Sequence, residues 1–149
     1  MAVDTTGDRG LEMDGAPLIR PDLISADGQS VRLVLGSCSS CGSRFFPPLE
    51  RCAHCLSAET DHVLSEERGV VYSATTVDLG PPGFKAPYRL AYVDISGVRV
   101  LLHIVRGIPK PNDGVRLVVA TVGSRDGHDL RSYAGVVDDQ GSLDDGGDR

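Results

Sequence analysis

Four cysteines carry the clearest chemistry in this chain. Cys38-Ser-Ser-Cys41 and Cys52-Ala-His-Cys55 are two C-x-x-C pairs separated by ten residues. A two-residue spacer sets both sulfurs on one tight turn, aimed at one point. Two such turns face to face supply the four thiolates that Zn²⁺ takes tetrahedrally. Gly42 follows the first pair, where a knuckle needs an unusual backbone angle, and Pro47 and Pro48 stiffen the return of the chain. The gap is short for a zinc ribbon. A small hairpin is therefore expected, running out along Arg44-Phe45-Phe46 and back to Arg51. The expected cofactor is one structural zinc ion on Cys38, Cys41, Cys52 and Cys55. An iron site of the same ligand set and a redox dithiol are the competing uses of these residues. A closed four-thiolate site has no position open to substrate, so its role is to stabilise the fold. His54, inside the second knuckle, is expected to be an exposed turn residue. At least one of Phe45 and Phe46 should pack against the knuckles, because so small a module has little else to bury.

Beyond the cysteines, the sequence offers no G-x-S-x-G elbow, and every thiol is already claimed by the cluster. His103 lies in the apolar run VRVLLHIV, where alternation faces it away from Leu102 and Ile104. It is expected to be half-buried and hydrogen-bonded. Asp78 and Asp94 end strand-like runs and are expected to cap turns. The most suggestive remaining segment is Gly80-Pro-Pro-Gly-Phe-Lys-Ala-Pro87. Its prolines limit its freedom, Phe84 is an apolar anchor and Lys85 can meet an anion. Arg89, Arg106 and Lys110 would extend a basic patch if the fold gathers them. Phe84, Lys85 and Arg89 are the expected substrate- or partner-contacting residues. A loop buried against a partner subunit and an ordinary stiff connection are the alternatives.

Positioning these groups falls to short β-strands. Gly69–Leu79, Tyr88–Ser96, Val98–Val105, Val115–Val122 and Leu130–Val137 are rich in Val, Leu, Thr and Tyr and are separated by turn residues. Gly97 marks a tight hairpin, and Gly123–Asp129 reads as a turn cluster. No segment after Cys55 keeps a helical period. Five strands in so short a span fit a small barrel, with the OB-fold the first expectation and an SH3-like barrel the alternative. The fold class expected is thus mainly β: a zinc ribbon followed by a five-stranded OB-fold barrel and a disordered acidic C-terminal tail. The expected divisions are a disordered lead over 1–16, a zinc-ribbon module over 17–65, an OB-fold domain over 66–137 and the tail over 138–149.

Bulk properties bound the partners. The chain has 149 residues, a formal charge of -6 and only two lysines, Lys85 and Lys110. Acidity and sparse aromatics argue against a nucleic-acid-binding module, the rival that zinc ribbons and OB barrels otherwise bring to mind. No apolar run is long enough to span a membrane, and the first residues lack the pattern of a secretion signal. Cytoplasmic residence in a reducing compartment is expected, where paired C-x-x-C motifs favour metal over disulfides.

The segment Val34 to Pro48 (VLGSCSSCGSRFFPP) resembles the rubredoxin-like zinc ribbon of the acyl-CoA-associated OB-fold family, and Arg51-Cys-Ala-His-Cys55 matches that family's second knuckle. Gly69–Val77, Ala86–Asp94 and Gly97–His103 follow its OB-domain pattern in the same order, so that the likeness covers roughly residues 17 to 137. The resemblance implies an accessory subunit of a hetero-oligomer, docked on a thiolase-fold catalytic subunit that acts on acyl-CoA thioesters by carbon–carbon cleavage or acyl transfer. The catalytic cysteine or base would lie on that other polypeptide. The resemblance also implies that a CoA moiety, with an adenine to stack and phosphates to pair, could meet Phe84, Lys85 and Arg89. Some relatives pair instead with hot-dog-fold acyl-CoA hydratases, which is the alternative partner. The helical segment often found before the ribbon is replaced here by Pro21-Asp-Leu-Ile-Ser-Ala-Asp-Gly28.

Overall fold

The structure is a computed structural model that describes residues 20–27 and 30–138. The lead expected over 1–16 and the tail from 139 onward lie outside the described residues. Nine strands follow one turn of 3₁₀ helix at Pro21–Leu23: β1 (Ile24–Asp27), β2 (Ser30–Cys38), β3 (Arg44–Phe45), β4 (Thr60–Leu64), β5 (Arg68–Val77), β6 (Tyr88–Ile95), β7 (Val98–Arg106), β8 (Gly114–Arg125) and β9 (His128–Val137). The described residues contain no α-helix.

β5 to β9 close a barrel in the order β5-β6-β7-β9-β8, with β8 returning to pair β5. β7 and β9 run parallel, while every other neighbouring pair is antiparallel. That crossing of a five-stranded Greek-key barrel is OB-like, and it sets aside the SH3-like alternative. Strand alternation fills the inside with Val71, Ala91, Val93, Ile95, Val100, Leu102, Ile104, Val115 and Leu117, all buried. All five strands expected from sequence are present. The expected turn cluster at Gly123–Asp129 needs correction, because the β8–β9 ladder continues through Ser124–Asp129 and Arg125–His128. Only Asp126 and Gly127 form the turn, both at positive φ (53° and 80°). Two such residues suit the twist of a two-residue hairpin.

The N-terminal sheet is built around β2, which pairs with β1, β3 and β4. The small hairpin expected to return to Arg51 is not formed in that way: Arg44 and Phe45 pair with Ser37 and Gly36 of β2, and β4 supplies the other neighbour. Leu33 and Leu35 of β2 are fully buried and join Leu23, Ile24 and Val31 in one core with the barrel residues. Burying a leucine of this kind contributes roughly 1.5–3 kcal/mol. Polar contacts follow the same seam. The Ser65 N–H donates to the Leu33 carbonyl, the Leu33 N–H donates to Ser65 Oγ at 2.9 Å, and Arg32 pairs with Glu67 at 3.0 Å. The β1–β2 hairpin therefore shares its core with the barrel. Asp138, the first residue of the expected tail, pairs with Arg68 at 2.6 Å.

Candidate functional site

The two C-x-x-C turns have the same backbone construction. The Gly42 N–H donates to the Cys38 carbonyl at 2.8 Å, and the Leu56 N–H donates to the Cys52 carbonyl at 3.0 Å. The Cys38 N–H then donates to the Ser43 carbonyl and the Cys52 N–H to the Ser57 carbonyl. The residue after each pair must adopt positive φ, which is 80° at Gly42 and 67° at Leu56. Glycine does so freely, whereas leucine is strained there. Leu56 thus marks the second knuckle as one held by something stronger than its own backbone preference.

Facing each other, the turns bring Cys38 Sγ to 3.7 Å from Cys55 Sγ, and Cys41 Sγ to 3.7 Å from Cys52 Sγ. All four sulfurs lie within 4.8 Å of one another. A tetrahedral ion with metal–sulfur bonds of about 2.3 Å needs sulfurs about 3.8 Å apart, so the four thiols fit a metal site. They are free thiols rather than disulfides. Cys38 and Cys52 are buried with Phe45, while Cys41 and Cys55 face solvent. The expectation that a phenylalanine packs on the knuckles holds for Phe45. Phe46 instead meets Tyr133 of the barrel edge to face, with ring centroids 5.6 Å apart.

Hydrogen bonds prepare these sulfurs for charge. The Ser43 hydroxyl lies 2.9 Å from Cys41 Sγ and 3.5 Å from Cys52 Sγ, and the N–H groups of His54 and Cys55 donate to Cys52 Sγ. The Ser43 hydroxyl and then these N–H groups hold the Cys52 thiol at a pKa of about 5, and Ser43 likewise lowers Cys41. Cys55 goes the other way. An N–H contact from the Ser57 backbone favours its thiolate, yet burial and the three neighbouring sulfurs together push it up to about 11. Four adjacent anions repel one another, and a bound cation is what would let all four ionise. His54 is exposed, as expected for a turn residue.

A second constellation lies on the barrel. Phe84, in the β5–β6 loop, stacks on His103 of β7 with centroids 5.6 Å apart and planes 15° from parallel. Tyr88 of β6 leans on both rings, at 6.0 Å and 5.3 Å. Together with Lys85, Thr121 and Ser124 these residues border a cleft of about 600 Å³. His103 is half-buried, as expected, and among the described residues its ring is held by stacking. Burial lowers its pKa below the ordinary imidazole value.

Of the residues expected to act together, Phe84 and Lys85 share this cleft, whereas Arg89 does not. Arg89 borders a separate small cavity with Thr76, Ile108 and Pro109. It directly follows Tyr88, and strand alternation turns the two neighbouring side chains to opposite faces. Asp94 also departs from expectation: it lies inside the β6–β7 ladder, opposite Arg99, and pairs with it at 2.7 Å. The Arg99 guanidinium in turn sits 3.5 Å over the Tyr72 ring. Tyr88, Thr121 and Ser124 border the cleft without having been expected there from the sequence. Tyr88 carried a signal, since alternation puts it on the same face as Leu90, the register partner of His103.

Comparison with known proteins matches the ribbon and the barrel as two domains of one family. Residues 26–61 match the ChsH2 rubredoxin-like zinc ribbon domain, and residues 62–124 match the ChsH2 C-terminal OB-fold domain. A benzoylsuccinyl-CoA thiolase subunit, BbsA, from Thauera aromatica is 35% identical over 119 residues, spanning 76% of this chain and 83% of that protein. The BbsA of Geobacter metallireducens is 36% identical over 87 residues, or 56% of this chain and 59% of that one. Among solved structures, a chain of an Ltp2-ChsH2(DUF35) aldolase superposes with a TM-score of 0.54 at 29% identity, covering 69% of this chain and 84% of that chain.

Proposed function

Because this chain belongs to the ChsH2 family of paired zinc-ribbon and OB-fold domains, we propose that it is the accessory subunit of a thiolase-fold complex acting on acyl-CoA thioesters. The observation that carries this reading is the relationship to BbsA over 83% of that thiolase subunit's length. The aldolase relative supports the same partner class. The chemistry of the chain is consistent with such a role. Thiolytic chemistry on a thioester requires a nucleophilic thiolate, and all four cysteines of this sequence are gathered in one cluster. The nucleophile therefore belongs to the partner, and this chain contributes binding surface and positioning.

Within that reading, Cys38, Cys41, Cys52 and Cys55 hold one structural zinc ion. The four-sulfur donor set, the spacing of the sulfurs and the ribbon fold all suit it. When bound, the ion neutralises the thiolates and fixes the two knuckles. Ser43 and the His54 and Cys55 amides orient and stabilise the sulfurs that receive it. A division of the chain at Ser65 and Glu66 keeps β4 with the sheet it pairs in and begins the second unit just before β5. None of the helices among the described residues is long and apolar enough to cross a membrane. Free thiols of this kind suit a reducing compartment, so we place the complex in the cytoplasm.

The test is affinity purification of the full chain from its native host with mass spectrometry of what accompanies it. A thiolase-fold polypeptide in stoichiometric amount is the expected result. Recovery of a hot-dog-fold hydratase in its place would overturn the partner assignment, and recovery of the chain alone would overturn the subunit reading.

A further inference from the structure

The outer surface of the barrel arranges its charges in two different ways. On the β6–β7 ladder Asp94 stands opposite Arg99 and pairs with it at 2.7 Å. On the β5–β8 ladder Arg68 stands opposite Arg116, a like-charge pairing that opposes the sheet it belongs to. The row continues across the barrel: Arg116 is level with Val136 of β9, and Val136 with Arg106 at the end of β7. Arg116 lies between the buried Val115 and Leu117, so strand alternation turns it outward. Arginines therefore stand at one level on three of four neighbouring strands, in a chain whose formal charge is -6. With strands about 4.8 Å apart, the backbones at Arg68 and Arg106 are separated by about 14 Å.

One anion already meets this row. Asp138, directly after β9, pairs with Arg68 at 2.6 Å. Its N–H donates to the Gly114 carbonyl at 2.9 Å, and a Cβ on Gly114 would stand 2.9 Å from Asp138 Oδ2. On the other flank a Cβ on Gly107 would stand 2.7 Å from Val137 Cβ, so the chain leaving β7 closes tightly over the end of β9. These contacts bring the chain out of β9 beside the arginines. Arg106 and Arg116 form no ion pair among the described residues. The sequence that follows, Asp139-Gln-Gly-Ser-Leu-Asp-Asp-Gly-Gly-Asp148, adds four aspartates, with one arginine after them. About five extended residues are enough to cross the row. Exposed ion pairs are individually weak, but attachment to the same chain gives the aspartates an effective concentration of about millimolar order. We infer that the acidic segment 139–148 lies across the Arg68–Arg116–Arg106 row as an intramolecular strap. It caps the junction of β7 and β9 and withholds the arginines from other polyanions. The inference does not depend on which enzyme the chain assembles with.

The test reads the arginine side-chain Nε–Hε resonances of the full zinc-loaded chain, at low salt and at about 0.5 M, where charge screening acts within a few ångströms. The comparison chain carries Asp139→Asn, Asp144→Asn, Asp145→Asn and Asp148→Asn, which leave every barrel residue and Asp138 in place. Arg106 and Arg116 should differ between the two chains at low salt and coincide at high salt. Arg99, held by Asp94, should be the same in both. Heparin, as a probe polyanion, should bind the Asn variant about three- to tenfold more tightly than wild type at low salt. Arg106→Gln combined with Arg116→Gln should remove that gain. Identical Arg106 and Arg116 resonances in the two chains at low salt would overturn the inference, as would heparin binding that the Asn substitutions leave unchanged. So would arginines that respond only to a co-expressed thiolase-fold partner, and equally in both chains, because the row would then be the partner's contact.

Discussion

The tip of the ribbon and the barrel hold their strands by different means. Between Cys38 and Thr60 the described chain has one two-residue strand, and the buried cluster there consists of Phe45 and two of the four cysteines. That is too little apolar surface to order some twenty residues, each of which costs about 1–2 kcal/mol of backbone entropy. A metal has to supply the difference. The barrel, in contrast, buries alternate residues of five closed strands, and the β1–β2 hairpin adds Leu33 and Leu35 to the same core. The boundary that matters energetically therefore falls near Cys38, inside the ribbon, and not at the division proposed at Ser65.

The largest expected effect sharpens that comparison. Cys38→Ser or Cys52→Ser should reduce the zinc content from one ion per chain to none, as read by plasma mass spectrometry. Amides 38–62 should then lose hydrogen-exchange protection while β5–β9 keep theirs. Loss of protection throughout the barrel would show that the metal supports the whole chain. Next in size is Leu33→Ala, expected to cost about 2–5 kcal/mol in chemical denaturation. Because Leu33 sits in the shared core, probes in the hairpin and in the barrel should shift together. A barrel transition that stays in place would contradict the shared core.

Smaller effects concern pH and the surface. Burial depresses the folded-state pKa of His103 below its unfolded value, so the unfolded chain binds more protons. Stability should be complete above the unfolded value of about 6.5 and fall as the pH drops through it toward the folded value. Phe84→Ala, which uncovers the ring, should reduce the slope measured by thermal unfolding between about pH 7 and 5. Least is expected of Arg99→Gln, which breaks the exposed pair with Asp94 and the contact over Tyr72. Double-mutant cycles should give a coupling below about 1 kcal/mol.

Much of this was legible because its signals are local. The C-x-x-C spacing fixed the metal cluster, and alternation in runs such as VRVLLHIV gave both the strands and the outward facing of His103. What could not be read was non-local. Nothing in Ser30–Cys38 says that Leu33 and Leu35 will close against a barrel formed from residues thirty to a hundred positions later. The Gly123–Asp129 segment has the composition of a loop, yet cross-strand pairing carried the ladder through most of it. Lys85 and Arg89 are close in sequence yet border different cavities, because Arg89 is in a strand that alternates its faces. The Phe84–His103 stack joins a loop to a strand residue nineteen positions away, and the register of the β6–β7 hairpin, which sets Arg89 opposite Ile104, brings them close.

Co-expression of this chain with a thiolase-fold polypeptide from the same host tests the account most directly, with zinc-loaded wild type and Cys52→Ser compared on a sizing column and in a CoA-thioester cleavage assay. The account expects wild type to co-elute with the partner and to be required for turnover. Cys52→Ser should do neither, and each protein alone should be inactive. A partner that is fully active alone, or a zinc-free variant that still assembles and activates it, would contradict the account.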